Sequence, residues 1–313
     1  MVHIVKKVKD AIQKEKKKKR GDFKLKEVSR RGLLPQLITH RKRCILKETR
    51  TMALVKKFKK DLLTVKSYDS RENMGADAAK DIAAKIRELL AGKDVINMIF
   101  AAAPSQNEVL ASLIKEKDID WSRINAFHMD EYIGLPADAP QGFGNFLKEH
   151  IFGKVPFRSV NYLNGQCEDR EAECKRYSKL LEQYPTDIVC LGVGENGHVA
   201  FNDPPVADFK DPKLVKVVTL DSVCRNQQVH DGCFKELSEV PTQAFSLTVP
   251  ALMRGGALFC VVPAATKAEA VKRMLTWEIS EKCPASDLRR HSNATLYLDP
   301  DSSSKLDFWR DAE

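Results

Sequence analysis

The 313-residue sequence predicts an α/β fold, a mostly parallel sheet flanked by helices, built as a single domain with a lid segment. Two observations predict it. Short apolar runs without polar alternation recur along the chain (VINMIF, INAFHM, IVCLGV, ALFCVVP), the pattern of strands buried on both faces. Amphipathic helical stretches separate most of them, so successive strands are joined by crossovers and lie parallel. A glycine-punctuated stretch, DIVCLGVGENGHVAFNDPP from Asp187 to Pro205, sits where a strand should end and a ligand-binding edge begin.

In chain order, SRENMGADAAKDIAAKIRELLAG offers Ser70 as an N-cap, apolar residues every three to four positions, and Gly92 past the last turn, hence an amphipathic helix. The strand Val95 to Phe100 follows. A helix is expected from Ser105, with Glu108 at capping-box spacing. The strand Ile124 to Met129 leads into Asp130, Glu131 and Tyr132, and IGLPADAPQGFGNFLKEHIF, rich in Pro and Gly and then helical, reads as a loop-and-helix lid. VNYLNG is a short strand, EDREAECKRYSKLLEQY a helix, and IVCLGV the strand before the glycine loop. Beyond Pro205, KVVTL, AFSLTV, ALFCVVP and ATLYLD are strands, and Thr266 with Glu269 repeats the capping-box spacing ahead of TKAEAVKRMLTWEI.

Charge divides the chain at Met52. Residues 1–51 carry 18 Lys and Arg against 5 Asp and Glu, leaving 34 basic and 38 acidic residues for 52–313. The formal +9 therefore belongs to a basic extension, expected to be solvated and disordered, and not to the globular part. Three readings of the extension stay open: a tether to nucleic acid or another anionic surface, a targeting segment that is too rich in Lys and acids to fit well, and a dispensable addition before a functional start at Met52. The globular part is not expected to bind nucleic acid. No apolar run nears the ~20 residues a membrane span needs, and the N-terminus lacks the apolar stretch of a secretory signal. Eight cysteines form no CxxC or zinc-like grouping and read as reduced thiols of a cytoplasmic protein, with Cys190 and Cys260 in strand cores.

His198 lies beyond a strand's carboxyl end, where an imidazole with an ordinary pKa near 6.5 both takes and gives protons. Alone it would read as a loop histidine bonded to a carbonyl, but Asp203, five residues on, is placed to accept from its second ring nitrogen. The competing reading of Asp203 is an Asn-Asp-Pro turn. Asp130, ending a strand, suits a base that shuttles a proton between adjacent carbons of an opened sugar, and is otherwise a surface or capping acid. The turns at Ser105 and Thr266 follow buried strands, where free N–H groups, the Ser105 hydroxyl and the Lys267 ammonium suit a phosphate. The absence of GxGxxG and GxxxxGK[ST] argues against dinucleotides and nucleoside triphosphates.

HMDEYIGLP (His128 to Pro136) together with LGVGENGHVAFNDP (Leu191 to Pro204) resembles the glucosamine-6-phosphate deaminase family, in the superfamily that includes 6-phosphogluconolactonases. The resemblance runs from about Lys66 to Pro300. It implies a Rossmann-like sheet and conversion of an amino-sugar 6-phosphate to fructose 6-phosphate and ammonia, with no metal or redox cofactor. By the same resemblance Asp130 matches the base working between C2 and C1, His198 the group that opens the pyranose, and Ser105 and Lys267 the phosphate contacts. Asn196 stands where the family has an aspartate, Asp203 where it has a glutamate, Ala103-Pro104-Ser105 where it has Gly-Gly-Thr, and Gln228 where it has an arginine. Arg225 is the residue expected to replace that cation. Asn196, Asp203 and the altered loop keep a non-deaminating isomerase or a lactonase-like hydrolase as alternatives, and a non-catalytic sugar-phosphate sensor is a third. The expected partner is a small sugar phosphate; self-association is left open.

Overall fold

Residues 54–307 are described by the computed structural model, so every expectation placed on residues 1–51 lies outside the described residues. A hairpin the sequence reading overlooked comes first: β1 (Leu54–Lys60) pairs antiparallel with β2 (Leu63–Tyr68). β1 is largely exposed and lysine-rich, which masks it as a strand while blunting an open sheet edge. Next come α1 (Arg71–Leu90), β3 (Ile96–Phe100), α2 (Asn107–Leu113), β4 (Ile124–His128) and β5 (Asp130–Tyr132). The chain continues through α3 (Phe143–Leu147), β6 (Ser159–Asn161), α4 (Arg170–Gln183) and β7 (Ile188–Leu191). It ends with β8 (Val215–Thr219), α5 (Ser222–His230), β9 (Gln243–Leu247), α6 (Val249–Met253), β10 (Ala257–Val262), α7 (Ala268–Thr276) and β11 (Ala294–Leu298).

The main sheet has the order β1-β2-β11-β10-β7-β3-β4-β6, parallel from β2 to β6. Every residue of β3, β4, β7 and β10 is buried, as their unbroken apolar runs require of strands covered on both faces. Phe100 pairs with both Cys190 and His128, so the ends of β3, β4 and β7 are level and their following loops emerge at one edge. From β3 the chain moves outward to β4 and β6, then returns to the other side of β3 as β7. That reversal between β3 and β7 opens the crevice in which open α/β sheets bind ligands.

A second sheet, β5-β9-β8, is antiparallel; the sequence reading has KVVTL and AFSLTV as strands but does not separate them from the mostly parallel sheet. It takes Asp130 out of β4: Asp130 pairs with Ser246 of β9. The anticipated lid runs through turns from Ile133 to Gly142 and then α3, which continues as a π-helical turn to Phe152.

α1 starts as expected, the Ser70 hydroxyl accepting from Asn73 N at 3.2 Å, and buries Met74, Ala78, Ile82 and Ile86 along one face. Its C-cap is Ala91, and Gly92 follows the last turn as expected. Gly75 sets its distance from α2, since a Cβ there would lie 2.5 Å from Glu108 Cβ and 2.9 Å from the Glu108 carbonyl carbon. Gly75→Ala is expected to force these helices apart and cost about 1–3 kcal/mol, read from the urea midpoint.

Neither capping box forms. Ser105 lies in a 3-10 turn, Pro104–Gln106, and its Oγ accepts from Gln106 Nε2 at 3.2 Å, while Glu108 turns to Arg71. Thr266 is exposed in a second 3-10 turn, Ala265–Lys267, and Glu269 pairs with Lys305 at 2.9 Å. In both places a tighter first turn leaves the side chain off the capping position. No helix among the described residues is long and apolar enough to cross a membrane. Cys190 and Cys260 are buried in β7 and β10.

Candidate active site

Four neighbouring strands, β10, β7, β3 and β4, deliver Lys267, His198, Ser105 and Asp130 from their carboxyl ends, and all four side chains line one cavity. Arg71, Phe143, Gln227, Gln228 and Asp231 complete its charged, aromatic and amide walls.

His198 is held from behind. Its Nδ1 lies 2.8 Å from Asn196 Oδ1 and 2.9 Å from Asp203 Oδ1, and Asn196 Nδ2 donates to that same Asp203 oxygen at 2.9 Å. Both neighbours of Nδ1 accept, so Nδ1 carries the proton. Nε2 has no protein partner among the described residues and is the ring nitrogen left for a ligand. Burial pushes the Asp203 carboxyl up, but the bonds from His198, Asn196 and the Asp221 amide outweigh it, and the group sits below its ordinary value. Asp203 and Asn196 are thus one layer behind the cavity wall. The imidazole lies flat on Gly194, where a Cβ would come within 2.0 Å of Cε1 and 2.2 Å of Nε2. A turn closed by Gly197 N to Gly194 O, with Gly197 at φ +91°, folds the loop back. The small sheet pins its far end, Ser246 Oγ accepting from Phe201 N and Leu247 O from Asn202 Nδ2.

Asp130 differs in having no such support. Its Oδ1 is buried without a hydrogen-bond partner, and burial, reinforced by the charge of Glu131, pushes its carboxyl well above the usual carboxylate range. Glu131 faces away from it. Its carboxylate accepts from the backbone N–H groups of Tyr132, Phe143 and Gly144 at 2.8–3.0 Å, tying the start of α3 to β5. His128 is structural: Nε2 accepts from Leu163 N at 2.8 Å, its backbone is held by the Tyr177 hydroxyl, and burial lowers its pKa to about 3.

At the opposite wall the Lys267 ammonium is buried with no hydrogen-bond partner, 3.8 Å from Asp231. Burial lowers its pKa, and Asp231 and Glu195 pull it partly back. The backbone turns toward it at Ala264, whose φ of +84° is unusual for a residue with a Cβ and is held by the Asp299 carboxylate accepting from Ala264 N. A dehydrated ammonium that makes no hydrogen bond and is balanced only by the Asp231 carboxylate at 3.8 Å, lining the same cavity as the Ser105 loop, is suited to receive an anion.

His198, Asp203 and Cys224 each present one metal-ligand atom, all within 4.8 Å of one another. Burial and the charges of Asp203 and Asp130 hold the Cys224 thiol well above its ordinary pKa, and the thiol is hydrogen-bonded with Asp203.

The family model described as "Glucosamine-6-phosphate isomerases/6-phosphogluconolactonase" matches residues 69–297. The chain belongs to this family. Within it, the chain is 35% identical over 219 residues to a glucosamine-6-phosphate deaminase of Bacillus cereus, covering 70% of this chain and 81% of that one. To the deaminase of Listeria monocytogenes it is 32% identical over 211 residues, covering 67% and 88%. Among solved structures, a monomeric glucosamine-6-phosphate deaminase superposes with a TM-score of 0.69 at 29% identity, covering 77% of this chain and 98% of that one. A 6-phosphogluconolactonase of Thermotoga maritima shares the fold at a TM-score of 0.61 and 20% identity, covering 76% and 99%.

Of the residues singled out from sequence, Asp130, His198, Ser105 and Lys267 line this one cavity, and Asn196 and Asp203 stand directly behind the imidazole. Arg225 does not reach it. Its guanidinium donates to the carbonyls of Leu237 and Val240, each at 2.8 Å, which fixes the loop after α5 instead of facing the cavity. Three lining residues carried no local signal: Arg71 reads as an ordinary first-turn helix charge, and Gln227 and Asp231 as the polar end of a helix; Gln228, read as standing where the family has an arginine, also lines the cavity.

Proposed function

We propose that the protein is a glucosamine-6-phosphate deaminase, an aldose–ketose isomerase that releases ammonia. One observation carries the reading: a buried Asp130 carboxyl whose Oδ1 has no hydrogen-bond partner and an imidazole fixed by Nδ1 line the same cavity as a Lys267 ammonium that makes no hydrogen bond and only a long ion pair with Asp231. These are a proton shuttle, a ring-opening group and a phosphate anchor. The relatives printed as glucosamine-6-phosphate deaminases, at up to 35% identity, support the same substrate.

In this mechanism Nε2 of His198 takes the proton of the anomeric hydroxyl and returns it to the ring oxygen as the C1–O5 bond breaks and the C1 carbonyl forms. Asp203, anionic behind the ring, balances the charge of the transient imidazolium, and Asn196 keeps the ring in plane. Asp130 then removes the C2 proton while the C1 carbonyl oxygen takes a proton from the substrate's own C2 ammonium, giving an enol-amine, and Asp130 delivers the C2 proton to C1. The C2 iminium that results adds water and expels ammonia, leaving the ketose. Ser105 and Lys267 hold the phosphate throughout. Burial favours this chemistry because an Asp130 carboxyl with a raised pKa is a stronger base than an exposed one once ionised.

The reading is tested by incubating the purified full-length protein with glucosamine 6-phosphate and measuring ammonia and fructose 6-phosphate separately. Equal amounts of both are expected. A ketose formed from a plain aldose phosphate, with no ammonia from the amino sugar, would replace the deaminase reading by a non-deaminating isomerase.

A further inference from the structure

We propose that Arg71 is a second anion-binding residue of the cavity, acting with Lys267 on the phosphate of the substrate. The inference rests on the sugar-phosphate reading above and adds a residue to it.

The charge of the lining requires such a group. A phosphate monoester carries up to two negative charges near neutral pH, and the cationic side chains lining the cavity are Lys267 and Arg71. Lys267 alone is poorly matched to a dianion, since it is dehydrated and already faces Asp231 at 3.8 Å, with Glu195 close enough to act on it. Arg225, the cation expected from the sequence, is spent on two backbone carbonyls.

Arg71 is held against the loop that carries Ser105. Its Nη2 donates to Pro104 O at 2.9 Å, and its Nε lies 2.9 Å from Glu108 Oε1. The Nη2 bond holds one edge of the guanidinium against the Ser105 loop, the Nε contact is an ion pair without a hydrogen bond, and Nη1 has no partner among the described residues. A planar, permanently charged fork held in this way recognises phosphate oxygens at small entropic cost. The helices make the placement possible: Gly75, one turn after Arg71 and on the same face of α1, lets α1 close onto Glu108. Arg71, 34 residues before Ser105 in the chain, thereby becomes its neighbour.

The test titrates the full-length protein and its Arg71→Gln and Arg71→Lys variants with inorganic phosphate by calorimetry, and assays each with glucosamine 6-phosphate. Arg71→Gln is expected to weaken phosphate binding roughly 10- to 100-fold, the size of a lost charge-assisted hydrogen bond. The loss should fall on KM rather than on kcat, because ground state and transition state share the phosphate contact. Arg71→Lys should recover part of the affinity, keeping the charge without the fork. Unchanged phosphate affinity in Arg71→Gln would overturn the assignment, and so would failure of the wild-type protein to bind phosphate. The two readings separate cleanly. Phosphate binding that depends on Arg71 without ammonia release removes the deaminase and keeps Arg71, whereas ammonia release with unaltered KM in Arg71→Gln does the reverse.

Discussion

Asp130→Asn will abolish turnover and, at neutral pH, make the folded protein more stable than the wild type. Loss of the base should lower kcat by about 10²–10⁴-fold or more, since no other cavity-lining carboxylate is placed with Asp130 on β5. The stability gain follows from the cost of keeping this carboxyl in the fold. Its Oδ1 has no partner, and burial raises its folded pKa far above that of the unfolded chain. Between those two values the native state holds more protons than the unfolded state, so the wild type loses stability as pH rises through that window. The amide carries no such penalty. Its advantage, on the order of 1 kcal/mol per displaced pKa unit, should be full above the folded pKa and shrink as pH falls toward the ordinary carboxylate value of about 3.9. Urea unfolding at pH 5 and pH 8 measures it. An asparagine variant less stable than wild type at pH 8 would contradict the idea that the carboxyl is kept there against its solvation.

Gly194→Ala is expected to remove activity without unfolding the protein. A methyl group at this position would occupy space within 2.0–2.4 Å of three imidazole atoms, so the ring must swing off its seat and give up Asn196 and Asp203. Ring opening would lose its oriented acid–base group, a fall of about 10²–10⁴-fold. The backbone would tolerate alanine, because Gly194 is not among the positive-φ residues. The urea midpoint should therefore move little, and a variant retaining most of its kcat would show that the imidazole does not work from this seat.

The sequence announced the central sheet because a strand covered on both faces must be apolar throughout, and β3, β4, β7 and β10 are. The pairing of His198 with Asp203 was equally legible, since five residues of a glycine-bent loop cannot take them far apart. Long-range consequences were not legible. Nothing near Asp130 says that it leaves β4 for an antiparallel sheet with β9, a strand more than 100 residues later. The β1–β2 hairpin hid behind lysines that suit an edge strand and carry little period-two signal. Ser105 and Thr266 matched a capping pattern whose spacing is common, while the chain used tighter turns. Arg225 is close in sequence to Gln228, but on α5 its long side chain finds Leu237 O and Val240 O first. Arg71 was passed over for the opposite reason, being remote in sequence and adjacent only once two helices touch.

Dehydration of the cavity acts on two of its ionisable groups in opposite senses, and in the proposed mechanism it lifts the acid limit that Asp130 would set and lowers the alkaline limit that Lys267 would set. A drier pocket thus squeezes the working range from both ends. Acidification of its surroundings would slow this chemistry well before an exposed aspartate took up its proton, and that would tie the breakdown of amino sugars to the proton economy around it.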